Sequence, residues 1–149
     1  MSLTTWKAEF YPCSAHAMET ASPVDVVQHS LNKWRGMRIE NLTRHGCKST
    51  TYRDVSDSEG YILIISGSSC SLCQAYFGKE GDDGSRCSKC PLCVVRDSRP
   101  CDSPRGIDHT PPEPVSPWGM WMTVTDPEPM IEWLEKTLRY VQEKEQSRA

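Results

Sequence analysis

Two short cysteine pairs constrain this chain more than any other feature: Cys70-x2-Cys73 and Cys87-x2-Cys90, separated by 13 residues. A C-x-x-C turn lets two thiolates reach one cation at about 2.3 Å, and two such turns complete a tetrahedron. The spacing predicts a structural Zn2+ site with Cys70, Cys73, Cys87 and Cys90 as ligands. Cys93 and Cys101 follow closely and are also available as ligands. The run Cys87-x2-Cys90-x2-Cys93 with Cys101 also matches the way iron–sulfur clusters take four closely spaced thiolates. Four cysteines fill a zinc shell and leave no open position for a water, so the expected role is structural rather than catalytic. Cys13 and Cys47 stand alone and read as buried small apolar residues.

The rest of the composition makes such a staple useful. The 149 residues fit one domain, 1–149, but only 37% are hydrophobic, and most of the 11 prolines follow residue 90. A modest core with long irregular connections is expected. The formal net charge of −3 argues against a protein that coats nucleic acid by bulk charge. The first residues lack a basic segment followed by an apolar run, and Tyr61–Ile65 is too short to span a bilayer. The expectation is therefore a cytoplasmic protein without a membrane partner, where a dense cysteine cluster favours metal over disulfides.

Along the chain, residues 6–12 read as an edge strand or extended arm. Ser22-Pro23-Val24-Asp25 is a helix start, and Val24, Val27, Leu31 and Trp34 make one apolar face that Gly36 closes. A short second helix through Ile39 and Leu42 ends at Gly46, so residues 22–46 form a helical hairpin. Residues 50–55 and the apolar run Tyr61–Ile65 flank turn chemistry at Ser56–Gly60, which predicts a β-hairpin leading into a zinc knuckle over residues 50–101. Residues 78–89 read as a loop, and the Pro-rich stretch 98–117 as irregular. Residues 118–145 are expected to hold a strand, Trp118–Thr125, and a C-terminal helix opened by Asp126-Pro127-Glu128-Pro129. Met130, Ile131, Trp133, Leu134, Leu138 and Val141 line that helix, and its charged end frays. The fold class is α+β: a helical hairpin, a small antiparallel sheet with a four-cysteine zinc knuckle, and a C-terminal helix.

Few other residues offer chemistry. Lys33, Arg35, Arg38, Arg44, Lys48 and Arg53 fall within 21 residues, opposed there only by Glu40. This basic segment, 33–53, suits phosphates or an acidic protein surface, and Lys33, Arg35, Arg38 and Arg44 are its candidate contacts. Against this stands the plainer reading of a solvated helix face with Trp34 in the core. The deaminase pattern needs His-x-Glu before a Pro-Cys-x-x-Cys motif, and none of His16, His29, His45 and His109 provides it. Ser30 beside His29 is no catalytic pair, because sequence neighbours on a helix point apart. Trp118, Trp121 and Trp133 with Met120, Met122 and Met130 read as core.

Several motifs together carry a resemblance. They are His29-Ser30-Leu31-x-Lys33-Trp34-x-Gly36-Met37, Glu40-Asn41-Leu42 to His45-Gly46, Cys70-x-Leu72-Cys73, Cys87-x-x-Cys90-Pro91-Leu92 with Cys101-Asp102, Ser116-Pro117-Trp118, and Asp126-Pro127-Glu128-Pro129-Met130-Ile131. As a set, over roughly residues 6–138, the chain resembles a family of small proteins from tailed bacteriophages and prophages. The resemblance implies an origin, since that family has no assigned activity. It also implies that Cys70, Cys73, Cys87, Cys90 and Cys101 recur, which ranks Cys93 lower as a ligand and leaves Cys101 as a rival to one of the four.

The leading expectation is a small non-enzymatic zinc-binding protein of phage type that docks on a host protein and blocks a defence or regulatory machine. The alternative is a nucleic-acid-binding module that uses segment 33–53. A hydrolase or nuclease is the third reading.

Overall fold

The computed structural model describes residues 2–50, 53–77, 89–97, 99–101 and 115–147. The fold is α+β: among the described residues, helices are combined with a three-stranded antiparallel sheet of order β1-β2-β3. The elements are α1 (Leu3–Phe10), α2 (Pro23–Gly36), α3 (Ile39–Arg44), β1 (Cys47–Ser49), β2 (Val55–Asp57), β3 (Ile62–Leu63), α4 (Ser71–Tyr76), α5 (Pro91–Val95), α6 (Pro117–Val124) and α7 (Glu128–Ser147).

Helix α2 forms where the sequence places it. The Ser22 hydroxyl accepts the Asp25 N–H at 3.2 Å, and Pro23 occupies the first turn, where it loses no hydrogen bond. This helix is the centre of the molecule, packing against α1, α4 and α7. Its contacts bury Val26, Val27, Leu31, Trp34 and Met37 with Leu134 and Ile131 of α7. Helix α7 buries Met130, Ile131, Leu134 and Val141, leaves Trp133 and Leu138 partly covered, and runs on to Ser147.

Two elements differ in type from the sequence reading. Residues 3–10 are helical, not extended: Ser2 and Thr5 form a reciprocal capping box, and Leu3, Trp6 and Phe10 share the buried face. Trp6 is fully buried and its Nε1–H donates to the Gly36 carbonyl at 2.8 Å. The expected strand at Trp118–Thr125 is helix α6, started by the Ser116 hydroxyl, which accepts the Gly119 N–H at 2.9 Å, with Pro117 in its first turn. Only Trp121 of its aromatic and methionine residues is fully buried, stacking edge-on to Trp34 at 5.7 Å, while Met122 is exposed.

The hairpin exists but is displaced. β2 pairs with β3 in the register Val55↔Leu63 and Ser56↔Ile62, and β1 adds an unanticipated third strand on the other side. The expected buried strand is mostly at the surface: Tyr61, Ile62 and Ile64 are 64, 54 and 59% exposed, and only Ile65 is buried. α2 and α3 follow one another as anticipated, although Ile39 is exposed rather than packed. Most of the expected loop at 78–89 and most of the Pro-rich stretch 98–117 lie outside the described residues. Of the two isolated cysteines, Cys47 is buried as expected, whereas Cys13 is exposed beside the Met18 thioether at 3.5 Å.

Candidate metal centre

The cysteines are carried by short helices. The Ser66 hydroxyl caps a single 3-10 turn, Gly67–Ser69, which delivers Cys70 to the N-cap of α4. One helical turn then brings Cys73 back toward Cys70, and the Cys73 N–H points at the Cys70 sulfur at 3.5 Å. The Cys70–Cys73 pair thus sits at the start of a helix rather than in a turn grown from the hairpin. Cys90 is the N-cap of α5, with Pro91 at the first helical position. α4 is locked to the central helix by the Ser71 hydroxyl, which donates to the Val26 carbonyl at 2.7 Å.

Cys101 arrives from a different direction. The buried Arg96 guanidinium donates to the carbonyls of Arg99 and Pro100 at 3.1 and 3.2 Å, and lies over the Trp133 ring at 5.2 Å. The Cys101 carbonyl accepts the Trp118 N–H at 3.0 Å. These bonds seat Cys101 between α5 and α6. Cys70, Cys73, Cys90, Cys93 and Cys101 all line one small cavity of about 30 Å³ with Leu72, Phe77, Leu92 and Pro100. That volume is about one water molecule's share of liquid. Cys87 lies outside the described residues.

Among the described residues, no group of three or more His, Cys, Asp or Glu side chains is placed to hold a metal ion. The sulfurs share a cavity and interact, but do not form a tetrahedron. Cys70 and Cys73 behave as a couple: their mutual hydrogen bond holds the Cys70 thiol well below its ordinary range and pushes Cys73 above it.

The candidate binding residues divide. Lys33 is inside the molecule, 1% exposed, with its Nζ donating to the Ser69 carbonyl at 3.1 Å. Burial pushes its pKa down, and the neighbouring Cys70, Cys73 and Cys101 oppose that shift. It is therefore a neighbour of the cysteines and not part of an outer basic face. Arg38 makes a two-pronged pair with Glu128 at 2.6 and 3.1 Å, and Arg44 makes another with Glu9 at 2.8 and 2.7 Å. Arg35 is half-buried. Sequence reasoning found the cysteines but missed Lys33 and Arg96 as their neighbours. The spacing of Val26, Ser30, Lys33 and Met37 carried a signal, since it puts Lys33 on an inward stripe of α2. No local signal announced Arg96.

Compared with protein families, curated proteins and solved structures, the chain matches none significantly. No described helix is long and apolar enough to cross a membrane.

Proposed function

We propose that this chain is a small non-enzymatic, zinc-stapled protein of phage type that works in the host cytoplasm by docking on a host protein, to inhibit a defence or regulatory machine. The convergence of cysteines from three separate segments, at α4, α5 and residue 101, on one ion-sized cavity carries the metal part of this reading. Thiolates so placed bind Zn2+ readily, and metal binding then contributes folding free energy directly. Cys70, Cys73, Cys87 and Cys90 make the shell that the spacing favours, with Cys101 as the rival. The phage origin rests on the motif set described above.

The docking part is supported by the sheet edge. Among the described residues β3 is an edge strand of the sheet, and Tyr61, Ile62 and Ile64, in and beside it, are exposed. An exposed edge strand is a ready template for an added strand from another protein. The basic segment gives less support to the nucleic-acid alternative, because Lys33 is buried and Arg38 and Arg44 are already paired.

Elemental mass spectrometry on purified protein, with melting before and after chelation, tests the staple. About one zinc per chain, lost together with the fold, supports it; iron, or a fold indifferent to chelation, overturns it. For docking, affinity capture from bacterial cytoplasm is run with the wild type and an Ile62→Lys/Ile64→Lys variant. A stoichiometric protein retained by the first and lost by the second is the expected result. Retention by neither or by both rejects this edge as the docking surface.

A further inference from the structure

The buried lysine raises a problem of charge that the cysteines answer. Lys33 extends from α2 into the interior, donates to the Ser69 carbonyl at 3.1 Å and approaches the Trp34 ring at 5.5 Å. Among the described residues it has no carboxylate partner. An ammonium has three donors, and taking one out of water is costly unless a negative charge lies close by. Ser69 directly precedes Cys70, so the hydrogen bond that fixes Lys33 aims it at the cysteine cluster. Lys33, Cys70, Cys73 and Cys101 line a common cavity of about 330 Å³.

Cys101 is equally well placed. Arg96 and the Trp118 N–H fix the backbone around it, and it borders both this cavity and the ion-sized one. A divalent ion held by four thiolates leaves two uncompensated negative charges in the interior. One ammonium nearby removes half of that excess, and it supplies N–H groups that can face sulfur.

We propose that Cys101, the rival ligand, takes the place that the spacing gives to Cys87 and joins Cys70, Cys73 and Cys90 in a tetrathiolate metal shell, and that Lys33 is the buried counter-charge of that shell. This rests on the metal-binding reading above. On loading, the sulfurs bind the ion as thiolates, those still protonated release their protons to solvent, and Lys33 keeps its proton. Lys33 does not touch the metal. It acts through the ligands as a positioning residue, and it couples metal loading to the packing of α2. Outer-shell partners of this kind are worth roughly 10–100-fold in metal affinity.

The test compares full-length wild type, Lys33→Met, Lys33→Arg and Cys101→Ser at one fixed pH. Zn2+ affinity is measured by competition with a chromophoric chelator, and Co2+ is used as a spectroscopic substitute. Cys101→Ser is expected to lose the four-sulfur Co2+ spectrum. Lys33→Met is expected to bind Zn2+ roughly 10–100-fold more weakly, with its sulfur-to-cobalt charge-transfer band moved to lower energy. Lys33→Arg, which keeps the charge, restores both. A merely structural lysine would not move that band. A Lys33→Met protein with wild-type affinity and an unmoved band overturns the counter-charge role, and an unchanged spectrum in Cys101→Ser overturns its ligation. If Lys33→Met fails to fold, 15N-lysine spectra of the wild type decide: one side-chain resonance must move when Cd2+ replaces Zn2+, and none moving overturns the proposal. A wild type that binds neither ion defeats the underlying metal-binding reading instead.

Discussion

At Gly36 the ring of Phe10 occupies the space a side chain would need. A Cβ there would fall 2.5 Å from the Phe10 Cγ, and the Gly36 carbonyl is the acceptor for Trp6. Alanine ordinarily favours a helix over glycine by about 1 kcal/mol, yet here the overlap outweighs it. Gly36→Ala is expected to destabilise the fold by roughly 1–3 kcal/mol in denaturant melts, as overpacked cores do. Asp57 is the other residue with consequences beyond its neighbours. One of its oxygens accepts the Leu3 N–H at the start of α1, at 2.9 Å, and the other accepts the N–H groups of Glu59 and Tyr61. The Leu3 bond is the main reason its carboxyl is held below the ordinary range. Glu9 is held down from 4.5 to about 2, first by the Arg44 hydrogen bond and then by His45. Both groups release protons more easily folded than unfolded. The stabilisation from Glu9 is therefore complete above about pH 4.5, where its unfolded carboxyl is ionised, and fades as pH falls toward about 2; that from Asp57 is likewise lost on acidification. Denaturant midpoints measured from pH 7 to 2 should fall through that window, and Asp57→Asn should flatten the fall.

Among the elements, α6 shows how capping overrides composition. Its residues alternate enough to suggest a strand, but Ser116 and Pro117 repeat the start used by α2 at Ser22 and Pro23. Ser116→Ala should cost about 1 kcal/mol, the usual worth of an N-cap, with a matching loss of helix content. α1 escaped notice because its cap is Ser2 with a threonine in place of the usual Glu or Gln. Its anchor, Trp6, is buried against α2, and Trp6→Ala should cost roughly 3–5 kcal/mol in the same melts. β3 presents the opposite case. An apolar run is ordinarily a buried strand, but among the described residues the sheet has three short strands and leaves Tyr61, Ile62 and Ile64 exposed. Lysine at Ile62 and Ile64 should leave stability within about 0.5 kcal/mol, as exposed substitutions do, which makes the docking test interpretable.

Across the whole molecule, one helix gathers everything else. α2 touches α1, α3, α4 and α7, and through Lys33 and Val26 it also meets the cysteine segments. Metal loading should therefore be felt throughout: removing bound zinc is expected to lower the melting temperature and to release the packing of α2 as well as that of α4 and α5. What could be read from the residues was local in origin. The cysteine spacing, the caps of α2 and the 3.6-residue periodicity of α7 are each written within a few consecutive positions. The tertiary structure alone decided what depends on residues far apart. It turned Lys33 inward to Ser69, paired Arg38 with Glu128 and Arg44 with Glu9, and used Arg96 to bring Cys101 beside Cys70 and Cys73. The physical reason is that periodicity and caps act over one or two helical turns, whereas the neighbours of a buried charge are set by how whole helices pack.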